Sequence, residues 1–402
     1  MPRIASVQDR ILSAMMNTAP SYNIYPSAFS VNENANVIIN VWTSGLSDNT
    51  TLYWSIDNPT DFSSNTGSFV INSNYGRFCV VPYADYATEG AENFQIQIRT
   101  NSNTGPVVAL TANININDTT LTPNLQYMMM GGGGGGGANG GGGGGGGGIC
   151  TNLCSGYSGP INPAATALPY CVGWNYTVSI AGGGSAGSYT GPLVGSSNGG
   201  DTFICRTGWG CIYGIGGGCG GGYSGSPFST NPGNAGGSGG GAAWCGLGGF
   251  GAQGGCGANG TVPLYGGGGG GGTGGNGAQA YGPNNGGDGG NGILWRSLCC
   301  LGGGGGGAGN GLGGQGGGGG GGRAALNPSD PSGSTVNGIP GSTNQGGGGG
   351  GARSGVGGTG GSGVAIIAYC AERTLATGGS IVCSGGVIYH IFTATGNFCI
   401  TG

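Results

Sequence analysis

Few residues in this chain could do covalent chemistry, and they are scattered. His390 is the sole histidine, set in the strand-like stretch Val387-Ile388-Tyr389-His390-Ile391-Phe392-Thr393, where a packing role accounts for it. The stretch Gly236-Gly237-Ser238-Gly239-Gly240 fits the spacing of a nucleophile elbow. A chain with 110 glycines produces such matches by chance, and the required strand-to-helix context is missing. All nine basic residues are arginine, so no lysine exists to reach a phosphate in a P-loop. No pair of carboxylates is spaced for acid–base work. The sequence therefore predicts no enzyme.

Fourteen cysteines are present, and Cys79 alone precedes the glycine-rich half. Cys150 and Cys154 are spaced C-x3-C, and Cys299 and Cys300 are adjacent. A zinc site would call for paired C-x2-C motifs or histidines. The spacing instead suits small buried hydrophobes or disulfides that close loops, and it fixes no pairing.

Binding is the chemistry better represented. Tyr157, Trp174, Trp209, Tyr213, Tyr223, Trp244, Tyr281 and Trp295 lie in segments rich in Gly, Ser and Asn between glycine tracts. Rigid aromatics with small polar neighbours suit recognition of sugars or proteins. Rings that cover the ends of a scaffold, or pack within it, are the alternative for each of them.

The scaffold must come from the glycine-only runs at 131–137, 140–148, 266–272, 302–307, 316–322 and 346–351. They lack the three-residue companions of a collagen helix. Ordering eight glycines costs roughly 4–8 kcal/mol more than ordering eight alanines, so an isolated run stays disordered. Side by side, backbones without Cβ atoms can approach closely and bond laterally, at about 0.5–1.5 kcal/mol per hydrogen bond. Two readings follow: flexible linkers, or packed polyglycine-II helices. The interruptions, about 10–30 residues long and rich in Trp, Tyr and Cys, are too short to be linked domains and unlike disordered sequence, which favours packed helices.

Charged residues make up 5 per cent of the chain and the formal net charge is −4, so there is no basic footprint for nucleic acid. No apolar run reaches the roughly 18 residues of a membrane-spanning helix. The start, Met1 to Arg10, lacks the apolar core of a signal peptide. Synthesis in a cytosol with release by lysis is the expectation.

Residues 7–16 place Val7, Ile11, Leu12, Met15 and Met16 on one helical stripe, stopped by Pro20. This amphipathic helix either caps the next domain or docks into a larger assembly. From residue 22 the pattern becomes all-β, with alternation over 37–42, 51–56, 67–71, 77–81, 93–98 and 111–116, predicting a β-sandwich. Val31-Asn32-Glu33-Asn34, Asp61-Phe62, the stretch Ala84 to Phe94, and Ile116-Asn117-Asp118 resemble the spaced motifs of Calx-beta-like domains. The resemblance covers about 90 residues and implies calcium at one end of the sandwich, with Glu33, Asp61, Asp85, Glu89 and Asp118 as ligands. Calcium takes six to eight oxygens, and the family's paired aspartates are single here, at Asp85 and Asp118.

The glycine-rich half opens on Leu125 to Met130 and closes on Gly363 to Tyr369, both buried-strand patterns whose pairing would bring its ends together. A strand at Tyr176 to Ile180 and short β segments from Ala376 to Thr401 complete the frame. This order of motifs, from residue 125 to 402, resembles the glycine-rich domain of tailed-phage, often cyanophage, tail and fibre proteins. The expected fold is all-β: a helix or anchor at 1–21, a Calx-beta-like sandwich at 22–122, a polyglycine-II bundle with projecting loops at 123–369, and a β-hairpin segment at 370–402. The resemblance implies a virion tail-fibre or adhesin component that binds a host glycan or outer-membrane protein through its loops. It would attach to virion proteins or identical copies through its N-terminal part, as a homo-oligomer. A head-decoration protein or self-assembling filament subunit is the alternative, and ice binding is disfavoured because the threonines are irregular. No cofactor besides calcium is expected.

Overall fold

The structure, a computed structural model, describes residues 19–84, 92–119, 122–153, 167–189, 195–222, 232–261, 266–281, 285–295, 299–325, 337–371 and 373–402. The amphipathic segment 7–16, and Asp85, Glu89, Tyr157 and Tyr223, lie outside these residues. The described chain is all-β, with no α-helix. It divides into two compact units, the first ending at Thr122 and the second running Pro123–Gly402.

The first unit contains β1 (Ser21–Pro26), β2 (Ser30–Asn32), β3 (Val37–Ser44), β4 (Thr50–Ile56), β5 (Thr66–Ile71), β6 (Tyr75–Val80), β7 (Glu92–Phe94), β8 (Ile96–Arg99), β9 (Val107–Leu110) and β10 (Ile114–Asn117). They form sheets in the orders β1-β3-β6, β2-β10-β7 and β5-β4-β8-β9. Period-two patterning decides which face is buried: along β3, Val37, Ile39 and Val41 point inward while Ile38 and Trp42 stay exposed. The inward residues make one core with Leu52, Ile71, Ile96, Ile98 and Ile114. Trp54 stacks on Phe78 at 5.0 Å, and Phe62 meets Phe94 edge-on at 4.7 Å.

The second unit contains β11 (Gln126–Met130), β12 (Ile149–Thr151), β13 (Asn175–Ser179), β14 (Thr202–Arg206), β15 (Gly210–Gly214), β16 (Ile293–Trp295), β17 (Cys299–Leu301), β18 (Val364–Cys370), β19 (Ala376–Thr377), β20 (Ser380–Ser384), β21 (Val387–Phe392) and β22 (Gly396–Ile400). The strands that open and close the glycine-rich stretch pair antiparallel, Gln126 opposite Ala368 and Met130 opposite Val364. The last strands do not stand apart as a terminal array. β21 extends the sheet β12-β11-β18-β21-β20, and β22 sits inside β15-β14-β13-β22-β19. Met128, Met130, Ile149, Ile293, Trp295, Leu301, Val364 and Ile366 share one core. His390 is fully buried on the other face of that sheet, against Tyr369 and Phe398. Its Nδ1 lies 2.8 Å from the Gly378 carbonyl and its Nε2 3.1 Å from the Tyr369 hydroxyl, which in turn accepts the Leu375 N–H at 3.0 Å. Those partners fit a neutral ring with the proton on Nδ1, and burial holds its pKa below the usual histidine value.

Between the strands, the glycine runs lie side by side and bond laterally. Run 140–148 is central. Its N–H groups at 142, 145 and 148 donate to carbonyls 221, 218 and 215; those at 143 and 146 donate to 268 and 271; those at 141, 144 and 147 donate to 352, 349 and 346. Its carbonyls accept from 131, 134 and 137, from 305 and 308, and from 238 and 241. Six neighbouring runs are thus engaged, three by donation and three by acceptance, with N···O distances of 2.7–3.1 Å. Partners recur every third residue, and all these backbone groups are satisfied without water.

Close approach dictates the residue type. A Cβ at any position from Gly131 to Gly137 would lie 1.9–2.3 Å from a neighbouring run's carbonyl oxygen. Alanines occur where runs end, at Ala138, Ala242, Ala308 and Ala352. At the bundle's edge, side chains replace missing neighbours. Asn285, Asp288 and Asn291, three residues apart, accept the N–H groups of Leu312, Gln315 and Gly318 at 3.0, 2.7 and 3.0 Å. Asp201 and Asn198 do the same for Gly216 and Cys219.

Candidate recognition site

The bundle gathers the described candidate aromatics into two places and sets others apart. The first place is the β14–β15 hairpin beside the sheets. Trp174 and Trp209, both half-buried, flank the buried Tyr176 at ring distances of 6.3 and 5.8 Å. The Arg206 guanidinium lies 3.5 Å from the centre of the Trp174 ring, a cation–π contact. Tyr176 donates to the Pro169 carbonyl at 2.7 Å, and burial pushes its phenol up to about 12 against the opposing pull of Arg206. The Cys205–Cys211 disulfide closes the hairpin directly opposite in register. It encloses Arg206 to Gly210, whose turn uses Gly208 and Gly210 at φ +81° and +113°. Tyr213 stands 44% exposed on the sheet's outer face beside Phe203. Among the described residues of this cluster no nucleophile is paired with a base; what they present is an aromatic surface.

The second place is the far end of the runs, away from the sheets. Run 131–137 turns into run 140–148 through Asn139 and Gly140, both at positive φ (56° and 70°). Trp244 follows run 236–242, in a turn closed by the Gly246 N–H on the Ala243 carbonyl at 2.9 Å. Asn310 follows run 302–308, and Arg353 follows run 346–352. Asn139, Gly140, Trp244, Asn310 and Arg353 line a cleft of about 240 Å³. Trp244 adopts φ +47°. A bulky side chain in the left-handed region is strained by about 1–3 kcal/mol, and a glycine or asparagine would occupy this turn without that cost. The Trp244 indole lies against the turn at Gly140, where an added Cβ would come 2.4 Å from the ring nitrogen.

The other candidates divide as follows. Tyr281 is 53% exposed and belongs to neither cluster. Trp295, expected in a binding loop, is instead a core residue with no exposed surface. Its Nε1 donates to Thr151 Oγ1 at 3.2 Å, which removes it from any surface contact. The reason is local: Ile293 and Trp295 alternate inward on a two-strand hairpin that caps the core, while Leu294 points out. Among the candidate calcium ligands, Glu33 accepts the Thr119 N–H at 3.1 Å, and the Asp61 main chain accepts from Tyr83. Asp118 is exposed. Among the described residues no three of His, Cys, Asp and Glu gather into a metal-holding group.

Cys150 is buried against Tyr127, and desolvation pushes its thiol up to about 11, so it is an inert packing residue. Arg353, Asn139 and Asn310 were not evident as site residues in the sequence. Their signal is weak but present: Asn139-Gly140 is a turn dipeptide between two glycine-only runs.

Comparison with curated proteins and with solved structures returns no match. A family model does match, described as a glycine-rich domain and covering residues 111–370, the stretch that holds the laterally bonded runs and both aromatic clusters. By that match over more than half its length, the chain belongs to the glycine-rich domain family.

Proposed function

We propose that this chain is a surface-recognition protein, an adhesin or tail-fibre component of a phage-type virion. Its glycine runs are read as polyglycine-II helices, a reading supported by partners that recur every third residue. The bundle serves as a stiff scaffold, and its far end meets the host surface. The observation that carries the proposal is the strained Trp244 beside Asn139, Asn310 and Arg353. The first unit, read as Calx-beta-like, would join the chain to other virion proteins or to copies of itself. Purified chain should bind intact host envelopes, and Trp244→Ala should lower that binding at least tenfold, with Trp209→Ala testing the hairpin cluster in parallel. Unchanged binding for both variants would rule out these clusters as the contact.

Lateral self-assembly is the second reading. It is favoured by Leu247 and Phe250, three residues apart on one run and each 68% exposed. Sedimentation of the purified chain separates the two: a monomer or small oligomer supports recognition, and filaments support a building block.

A further inference from the structure

The lining of the far-end cleft suggests a ligand of a particular charge. Arg353 is the one charged residue among the described residues that line it. No Asp or Glu stands beside it in that described lining. Its main chain is fixed independently of the side chain, because its carbonyl accepts the Gly140 N–H at 3.1 Å. The guanidinium is thus carried into the cleft lining on a bonded turn, with no carboxylate among the described residues that line it. Around it stand one indole and two carboxamides, from Trp244, Asn139 and Asn310. A space of about 240 Å³ falls below the roughly 300–1,000 Å³ of drug-sized sites. It suits one ring-sized unit.

We propose that this cleft binds an acidic monosaccharide unit of the uronic-acid class within a surface glycan. A guanidinium matches a carboxylate with two parallel hydrogen bonds. An indole face offers an apolar platform for the C–H side of a pyranose, and carboxamides both donate to and accept from ring hydroxyls. The inference rests on the recognition reading above and names its ligand chemistry.

The test is ligand-observed NMR on the full chain with methyl β-D-glucuronide and methyl β-D-glucoside, which share a ring and differ at the carboxylate. The glucuronide should bind about tenfold or more tightly than the glucoside, the scale of a charge-assisted hydrogen bond, and should weaken as salt rises. Arg353→Gln should erase the preference while leaving the thermal midpoint unchanged, and Trp244→Ala should weaken both sugars. Equal affinity for the two sugars would overturn the proposal. So would a preference that survives Arg353→Gln, or displacement of the glucuronide by equimolar inorganic phosphate. If the glucuronide fails while envelope binding still depends on Trp244, the ligand class is wrong and the recognition site stands. If envelope binding ignores Trp244, the recognition reading itself falls.

Discussion

Replacing Gly144 by alanine tests the lattice at its centre. A Cβ there would sit 2.1 Å from the Gly134 carbonyl oxygen, whereas a carbon and an oxygen in contact settle near 3.3–3.6 Å. Runs 131–137 and 140–148 must then separate by more than about 1 Å. The bonds between them, from 131 to 148, 134 to 145 and 137 to 142, start at 2.8–3.0 Å and would pass out of hydrogen-bonding range. Overpacking of this kind costs about 1–3 kcal/mol, and each broken bond adds about 1 kcal/mol. Partial relaxation brings the expected loss to about 2–5 kcal/mol. The control is Gly182→Ala, where an added Cβ meets nothing within 4 Å. There the variant should be neutral or gain up to about 1 kcal/mol, through a less flexible unfolded chain. Calorimetric unfolding of both variants reads the contrast, with about 2–4 °C per kcal/mol expected for a unit of this size. A Gly144→Ala protein within about 0.5 kcal/mol of the parent, or a Gly182→Ala protein equally damaged, would refute the close-packed lattice.

His390 should make the second unit sensitive to mild acid. Its folded pKa is lowered, so the unfolded chain binds the proton first. Stability, full above about pH 6.5, should fall as pH drops below that value, by at most about 1.4 kcal/mol per pH unit; urea midpoints from pH 8 to 5 check this, and His390→Gln should flatten the dependence. Trp295→Ala should cost about 3–5 kcal/mol as a core truncation. Trp244→Gly should instead stay within about 1 kcal/mol of the parent, because relieved backbone strain offsets lost packing, while envelope binding falls. Opening the Cys205–Cys211 loop by Cys211→Ser should cost about 2 kcal/mol for so short a ring and loosen Trp209, seen as a change in near-ultraviolet circular dichroism.

Much of this fold was legible because glycine leaves few options. The absence of side chains over runs such as 140–148 ruled out an ordinary core and pointed to lateral bonding between backbones. The flanking strands 126–130 and 364–370 announced themselves as buried apolar runs, and they pair. Strands β1 and β9 were less visible, since Tyr22, Ile24 and Val108 are only partly buried and alternate weakly. Composition could not place Trp295, because a tryptophan in a short hairpin reads alike whether its ring caps a core or faces water. Nor could it assemble the cleft, whose lining residues come from turns up to about 200 positions apart in sequence and meet only because the runs align. The edge ladder Asn285, Asp288 and Asn291 did carry a readable period of three. Its meaning appears only when each side chain is seen to stand in for a missing carbonyl.

That ladder bears on how such a protein can present a binding surface at all. In a helical or sheet domain, side chains both build the core and shape the site, so a change in one disturbs the other. Here the bundle interior is held mainly by main-chain groups, with a few buried side chains such as Ser238, Gln253 and Thr273 among them. Arg353 illustrates the separation: its carbonyl fixes the turn through Gly140, and its guanidinium takes no part in the lattice. Turns of this kind can change residue without loosening the runs beneath them, provided the turn closes. It follows that substitution at Arg353 should move affinity with little effect on the unfolding temperature. An alanine in any central run should do the reverse, lowering stability and leaving the ligand preference of the folded fraction intact. Measuring both quantities on Arg353→Gln and Gly144→Ala, in the same preparation, decides whether scaffold and site are separable in this way. Coupled losses in either variant would mean that the turns help to hold the bundle.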